Sequence, residues 1–551
     1  MDIMQDNASR HGSRHGNNSP GHPSLPVLAR RYAVATVLTI AVVTVLQLLP
    51  SGSAQNNYQL HLPPGITPVP HAGAPGTTIG GINCAPGIRQ VPWTAYAPSC
   101  VPAWRGDNGG STSPGVTSNT ITVTYRKVNS SDLASIASII SSAMPSDSKF
   151  IADLRTYINL FNRTYELWGR KVVLKTFTAT GNFLSEDQGL DQPQAQADAL
   201  TAKQLGAFAD LTFPMFSSQI YEQYLAEQHI VSLSSIYMPD SWFRQYYPYE
   251  YTIFPTGTQN NQATVDLVCE RLAHLPATFA GSSQIRSRKR VFGLLIPENP
   301  VYAANGNYIA SHLASLCGIH FAARDNYTLS VSQASQQAST AIAQMKSAGV
   351  TTIICGCDPL EPVLFTSTAT NEGYYPEWMF DYWLDPLGRK ISPPQAKHSM
   401  VIDAGQWPNS SSSEALKVFR IASHGAAPKE PYFALAYKMA LELFARLQAA
   451  GPNLTPQTFA KGIYKIPPSA TTKSRAATAK SGIGEFGPWR TGPYSFYPAT
   501  SYQFGWWNPS AVSNLDGQSG AWENCNGGTW YPYTDPQALK PLHTQPACFG
   551  R

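Results

Sequence analysis

The feature that most constrains the fold is an alternation of short β-rich runs with longer segments of helical spacing, met twice along the chain. Ile121-Thr122-Val123-Thr124-Tyr125 alternates and is β-branched, so it reads as a strand. From Ser148 to Tyr165 the residues Phe150, Ile151, Leu154, Tyr157, Ile158 and Phe161 recur at helical spacing. Val172-Val173-Leu174 follows as a strand, then an Ala/Gln-rich helix over about 193–206, strand Ala209–Phe213, a helix over about 217–228 and strand Ile230–Leu233. A second cycle opens near Gln259 with a helix holding Val265, Leu267, Val268 and Leu272. It continues through strand Arg290–Ile296, a helix over about 303–316, strand Ile319–Ala322, a helix over about 333–347, strand Thr351–Cys355, a helix over about 360–371 and Trp378-Met379-Phe380. Repeated strand-helix-strand units place parallel strands in one sheet, with the crossover helices on its faces. The middle of the chain therefore predicts two α/β units of similar size. Strand Ser399–Ile402, a strong helix Tyr432–Gly451 and strand Tyr502–Trp506 are too few for a third domain. They complete the first two units, so the chain crosses between them more than once.

The remaining composition narrows the function. The 551 residues carry 39 Lys+Arg against 34 Asp+Glu, a net charge of +5, with 43% hydrophobic and only 13% charged residues. So little charge among so many apolar residues excludes disorder driven by charge. The longest basic run is Arg286-Ser287-Arg288-Lys289-Arg290, which is no nucleic-acid footprint. It reads as a solvated turn. One long uncharged run, Tyr32 to Leu49, excludes a polytopic membrane protein. Arg30-Arg31 precede that run and Pro50-Ser51-Gly52-Ser53-Ala54 follow it, the layout of a secretory signal. An uncleaved membrane anchor is the competing reading. Either one places the chain after about residue 55 outside the cytoplasm, secreted or anchored at the outer face of the cell membrane. His11, His15 and His22 lie in a polar Ser/Gly-rich tail and read as solvated.

Eight cysteines in an exported chain favour disulfides. Cys84 and Cys100 bracket a Pro/Gly loop, Cys525 and Cys548 bracket another, and Cys269 and Cys317 fall near the ends of predicted helices. Cys355-Gly356-Cys357 stays open between a pairing and a metal or redox role, the latter weak without a nearby His. No nucleophile elbow, zinc-protease motif or phosphate loop occurs, so neither an enzyme nor a cofactor or metal is predicted. An exported hydrolase is the alternative, because the members of a catalytic triad lie far apart in sequence.

Several stretches resemble the type I periplasmic solute-binding proteins, close to the branch that delivers branched-chain amino acids and amides to ABC importers. Asn162 followed by Gly169-Arg170-Lys171-Val172-Val173-Leu174 is the most specific. The others are Ala341 to Val350 leading into Ile353-Ile354, then Gly373-Tyr374-Tyr375-Pro376-Glu377-Trp378, and the helix Tyr432–Leu447 followed by Ala450-Gly451-Pro452-Asn453-Leu454-Thr455. The resemblance covers about 115–510 and implies two doubly wound parallel-sheet lobes joined by a three-strand hinge, closing on a solute. It also implies the membrane subunits of an ABC importer as partners. The chain departs from the family after the first strand, where Tyr125-Arg126-Lys127-Val128-Asn129-Ser130 leads into an insertion in place of a short ligand-contacting turn. It also has no cysteine after the apolar run for a lipid anchor.

On this reading residues 1–31 are a cytoplasmic tail or signal n-region, 32–54 a signal peptide or anchor, and 55–118 a disulfide-tied Pro/Gly-rich leader. Residues 119–256 form lobe I, 257–380 lobe II, 381–490 a return to lobe I, and 491–551 an aromatic-rich segment completing lobe II. The solute site is expected where strands end. Ser217 and Ser218 open a helix and offer hydroxyls to a carboxylate or amide; a plain helix cap is the alternative. Ser234, Ser235 and Tyr237 follow the next strand, and Tyr302 stands across the cleft. Asp358 follows Cys357 and meets an ammonium or caps the next helix, while Asp381 and Tyr382, at an expected hinge crossing, form an acid among aromatics suited to an amine. The predicted function is capture of a small polar solute of the amino-acid or amide class. A membrane-anchored sensor of the same fold, with residues 32–49 in the membrane, is a further alternative. Trp489, Phe496, Tyr502, Phe504, Trp506 and Trp507 read as packing aromatics, with a glycan platform as the rival.

Overall fold

The β-branched run after the leader forms β1 (Thr120–Lys127), the central strand of the first lobe. In the computed structural model, which describes residues 62–129, 131, 143–381, 384–403, 413–469, 477–478, 486–489, 492, 495–513, 516–537 and 539, this lobe continues through α1 (Asp147–Phe161), β2 (Lys171–Thr178), α2 (Phe183–Asp187), α3 (Gln192–Gln204), β3 (Ala209–Asp210), α4 (Gln219–Glu227) and β4 (Val231–Ser232). All its strands are parallel, in the order β2-β1-β3-β4, with β1 and β2 in register from Thr120↔Lys171 to Lys127↔Thr178. The helical spacing seen in the sequence buries Phe150, Leu154, Tyr157 and Phe161 of α1.

The second lobe repeats the plan with α5 (Gly257–Leu267), β5 (Phe292–Pro297), α6 (Pro300–Cys317), β6 (Ala323–Tyr327), α7 (Ala334–Ser347), β7 (Thr352–Cys355), α8 (Glu361–Asn371), β8 (Glu377–Phe380) and β9 (Ser399–Asp403). Its parallel strands lie in the order β6-β5-β7-β8-β9. In both lobes the order reverses beside the first strand, which opens a crevice at the carboxyl ends of the strands.

The chain then returns to lobe I with α9 (Glu414–Ala422), α10 (Phe433–Ala450) and α11 (Pro456–Gly462). Helix α10 packs on α1 through ring pairs such as Tyr157–Tyr437 at 5.2 Å and Phe161–Phe444 at 5.4 Å. It goes back to lobe II as β10 (Ser501–Val512), β11 (Ser519–Asn524) and β12 (Thr529–Pro532), with β10 antiparallel to both β9 and β11. Of the three crossings, the first and last touch where the Thr252 N–H donates to the Phe496 carbonyl at 3.2 Å. The middle one lies between β9 and α9, outside the described residues.

Four differences from the sequence reading have physical causes. The expected strand Ile319–Ala322 is the lead-in, and the strand is the more polar Ala323–Tyr327, an edge strand with one neighbour. The aromatic tail holds three strands rather than one, and most of its rings are buried, including Trp489, Phe496, Tyr502, Phe504 and Trp507. Residues 385–403 stay with lobe II, because β9 pairs with β8, so Asp381 sits at a strand end and not at a crossing. The leader is a packed layer. Trp168, Val101 and Val69 cluster with Ala445 and Ala449 of α10, and the Thr112 hydroxyl donates to the Leu454 carbonyl at 2.6 Å. A Cβ on Gly115 would stand 2.2 Å from the Phe208 nitrogen, so only glycine fits there. With this cover every residue of α10 is buried.

Disulfides join Cys84 to Cys100, Cys269 to Cys317 and Cys355 to Cys357. Cys525 is also disulfide-bonded, while Cys548 lies outside the described residues. The apolar run Tyr32–Leu49 lies outside them too. Among the described residues no helix is long and apolar enough to cross a membrane.

Candidate functional site

Both lobes line one crevice between the strand ends, with about 530 Å³ of empty space including its open mouth. Lobe I supplies Phe213, Pro214, Met215, Ile236 and Tyr237 from the ends of its last two strands. The first crossing adds Phe254 and Pro255, and Asn260 comes from the first turns of α5. Pro359, Leu384 and Leu387 close it from lobe II, with Leu435 of α10 behind. The wall is apolar except at Asn260 and Tyr237. A second cavity of about 310 Å³ lies between α2 and lobe II, where Leu184 and Gln188 face Asp358, Leu360 and Glu361.

The serines predicted to face a solute sit at the lobe I edge, and all four hydroxyls donate within the protein. Ser217 donates to Glu222, and Ser218 to Glu186 while it also caps α4 at Tyr221. Ser234 donates to the Thr212 carbonyl, and Ser235 to Glu250 at 2.7 Å. Burial pushes Glu222 and Glu250 up; the Glu222 charge raises Glu250 further, while the Ser217 hydroxyl holds Glu222 back. The segment inserted after β1 lies largely outside the described residues, and Arg126, at the end of β1, is buried. Its guanidinium bonds Glu186 and, at 2.9 Å through Nε, Asp198, and it lies 4.4 Å from the centre of the Tyr221 ring. Sequence reasoning missed this ion cluster, whose acids lie 60 and 72 residues further along the chain.

Across the cleft, Asp358 accepts from the Tyr327 hydroxyl at 2.7 Å and from the amides of Leu360 and Glu361 at 2.7 and 3.3 Å. It therefore closes the N-terminus of α8. Tyr237 and Tyr302 meet from opposite lobes with ring centres 5.9 Å apart. Tyr237 holds a left-handed backbone, φ 61°, and its carbonyl accepts from Asn305 of α6 at 3.0 Å. A bulky residue in that conformation is strained, and here a contact between lobes holds it. Gly257, the first residue of α5, is the counterpart, since a Cβ there would stand 2.4 Å from that carbonyl. Asp381 lies beside Gly356 and has no hydrogen-bond partner among the described residues; burial pushes it up to about 7. Tyr382 lies outside the described residues.

Two groups here carried no sequence signal. Asp187, at the end of α2, is pushed up to about 7 by burial and by the neighbouring Glu186 charge, and its carboxylate accepts from the Gln219 amide at 3.4 Å. Asn260 lines the main cavity and is buried, and its side-chain oxygen has no hydrogen-bond partner among the described residues. Among the described residues no group of three or more His, Cys, Asp or Glu is arranged to hold a metal.

Two wound lobes with a cleft at their strand ends define the type I periplasmic binding protein fold, and this chain has that fold. It is similar to the fatty acid ABC transporter substrate-binding protein from Thermomonospora curvata, at 13% identity and a TM-score of 0.50, over 78% of this chain and 96% of that one. A substrate-binding protein of an ABC transporter from Aeropyrum pernix matches at 10% identity and a TM-score of 0.51, over 78% of this chain and 100% of that one. A solute-binding protein of an ABC transporter from R. palustris, in complex with 4-hydroxybenzoate, matches at 13% identity and a TM-score of 0.50, over 75% and 98%. No protein-family model matches the sequence, and no curated protein does.

Proposed function

We propose that the chain is an extracytoplasmic, non-enzymatic solute-binding protein that captures a small molecule by closing its lobes and passes it to the membrane subunits of an ABC importer. The observation that carries this is the crevice lined from both lobes and the first crossing. A small molecule held there is enclosed by closure, and its release requires the lobes to part. The similar structures described above are substrate-binding proteins of such transporters, which supports the same role. The sequence resemblance favours an amino acid or amide; the cavity adds that the body of the solute is apolar.

The test is calorimetric titration with amino acids, amides, aromatic and fatty acids and amines, beside small-angle scattering and native mass spectrometry of freshly purified protein. Binding of one solute per chain with a fall in radius of gyration is expected. Turnover of a bound compound, or no ligand in any of these measurements, overturns the proposal.

A further inference from the structure

Three disulfides have both partners among the described residues, and they close loops of very different size. Cys84–Cys100 and Cys269–Cys317 join residues 16 and 48 positions apart, and Cys355–Cys357 residues only 2 apart. A cross-link stabilises a fold mainly by restricting the unfolded chain, and the restriction grows with the loop it closes. The Cys355–Cys357 bond therefore adds the least to global stability. Its strand needs little help in any case. All of β7 is buried, and Cys355 is paired with Leu295 of β5 on one side and Phe380 of β8 on the other.

Its place in the cleft sets it apart. Cys317 ends α6, a helix of 18 residues that starts at the strand ends and runs about 27 Å along its axis, so the Cys269–Cys317 bond lies far from the cleft. Cys355–Cys357 instead closes the last residue of β7 onto the turn before α8, with both residues buried. Inside that ring the Gly356 N–H donates to the Leu295 carbonyl at 3.1 Å, and the Cys357 sulfur lies 3.6 Å from the same oxygen. The next residues are cleft residues. Pro359 lines the main cavity, and Asp358, Leu360 and Glu361 line the second one. Of the segments that line the two cavities, only this one reaches both. Asp358 ties the turn to β6 through its N–H, which donates to the Tyr327 hydroxyl at 3.1 Å, and to α8 through the Leu360 and Glu361 amides. A chain leaving a strand has two soft dihedrals per residue. The ring takes that freedom from residues 355–357 and so sets the direction in which the following residues enter the cleft.

We propose that the Cys355–Cys357 bond is a positioning device of the solute site: it fixes the turn that places Pro359 in one cavity wall and Asp358, Leu360 and Glu361 in the other, and it contributes little to holding the fold. A wall fixed in advance need not be ordered when a solute arrives, which strengthens binding. This rests on the solute-binding reading and deepens it by naming what sets the lobe II wall.

The test compares Cys355→Ala/Cys357→Ala with Cys269→Ala/Cys317→Ala in the full chain. Both lose two sulfurs, so the difference between them reads the loop. Tm, hydrogen–deuterium exchange by mass spectrometry, and calorimetric titration with L-leucine and L-phenylalanine are measured on each and on the parent. The Cys355/Cys357 variant should lose less Tm than the Cys269/Cys317 variant. Its amides over residues 356–361 should exchange at least about tenfold faster than in the parent, while those of β5 stay unchanged. It should bind whichever amino acid the parent binds at least about tenfold more weakly. The Cys269/Cys317 variant should keep the parent's exchange over 356–361 and its affinity. A Cys355/Cys357 variant that does not fold, that loses as much Tm as the other pair, or that keeps the parent's exchange over 356–361 overturns the proposal. Faster exchange with an unchanged affinity overturns it too, since the wall then does not depend on the bond. If neither amino acid binds the parent, the amino-acid reading of the solute fails, and exchange and Tm decide the positioning role by themselves.

Discussion

The two lobes share a strand order, and each aims a helix N-terminus at the cleft, but they treat the acids there differently. In lobe I the acids come in numbers and are drawn into contacts: Glu186 and Asp198 hold Arg126, and Ser217, Ser218 and Ser235 each donate to a glutamate. In lobe II Asp358 is held by Tyr327 and its own helix, and Asp381 has no hydrogen-bond partner among the described residues. The lobe I edge spends its serine hydroxyls inside the protein, while the lobe II edge carries a carboxyl with no partner among the described residues. The contrast teaches that a polar residue at a strand end marks a site only when its hydrogen bonds are not already used inside the protein.

The largest expected effect tests the lobe I edge. Arg126→Met leaves Glu186 and Asp198 buried without their cation, and should cost about 3–5 kcal/mol of stability, read by denaturant unfolding. If the variant keeps its stability but loses solute binding, Arg126 belongs to the ligand and the contrast between the lobes is broken.

Next comes pH. Asp187 in lobe I and Asp381 in lobe II are raised to about 7, and Glu361, beside the second cavity, to about 8, all chiefly by burial. These folded values lie above the unfolded ones near 4, so the folded protein binds more protons. Their contribution to stability is full below about pH 4 and is lost as pH rises through about 7–8. The ligand-free protein should therefore lose several degrees of Tm between about pH 5 and pH 8. A ligand-free Tm that climbs with pH would mean that the acids are ionised and already paired.

The architecture was legible because it rests on local periodicity. The helical spacing of Phe150 to Phe161 and the alternation of Ile121 to Tyr125 are properties of neighbours in sequence. The Cys84–Cys100 and Cys269–Cys317 pairs were legible from the loops and helix ends they bracket. The edge strand β6 was not, because an edge needs little apolar character and the richer run before it drew the assignment. The site was legible only in outline. Its strand ends and its aromatic pair, Tyr237 with Tyr302, were visible in order along the chain. The partners of the serines were not: Ser218 meets Glu186 from 32 residues away, and nothing local reports that. Asn260 belongs to no motif, and its place in the cavity wall is set by contacts far apart in sequence.

A smaller effect sharpens the rim of lobe I. Ser235→Ala removes the donor to Glu250, whose other oxygen has no partner among the described residues. Leaving that buried carboxyl unsatisfied should cost about 1–3 kcal/mol, read as a shift in unfolding midpoint at constant slope. A neutral result would place water where the hydroxyl was.

The smallest expected effect is the most discriminating. Asp381→Ala in the ligand-free protein removes a carboxyl that has no hydrogen-bond partner among the described residues and that burial pushes up to about 7. Its stability at neutral pH should stay within about 1 kcal/mol of the parent, or rise, because no partner is left unsatisfied. The corresponding loss at Ser235 is larger although a serine is the smaller group, since there a buried partner is stranded. Chemical unfolding of the two variants side by side measures that difference directly. If Asp381→Ala costs as much as Ser235→Ala, then Asp381 is spent on the fold like the serines, and the contrast between the two edges is broken.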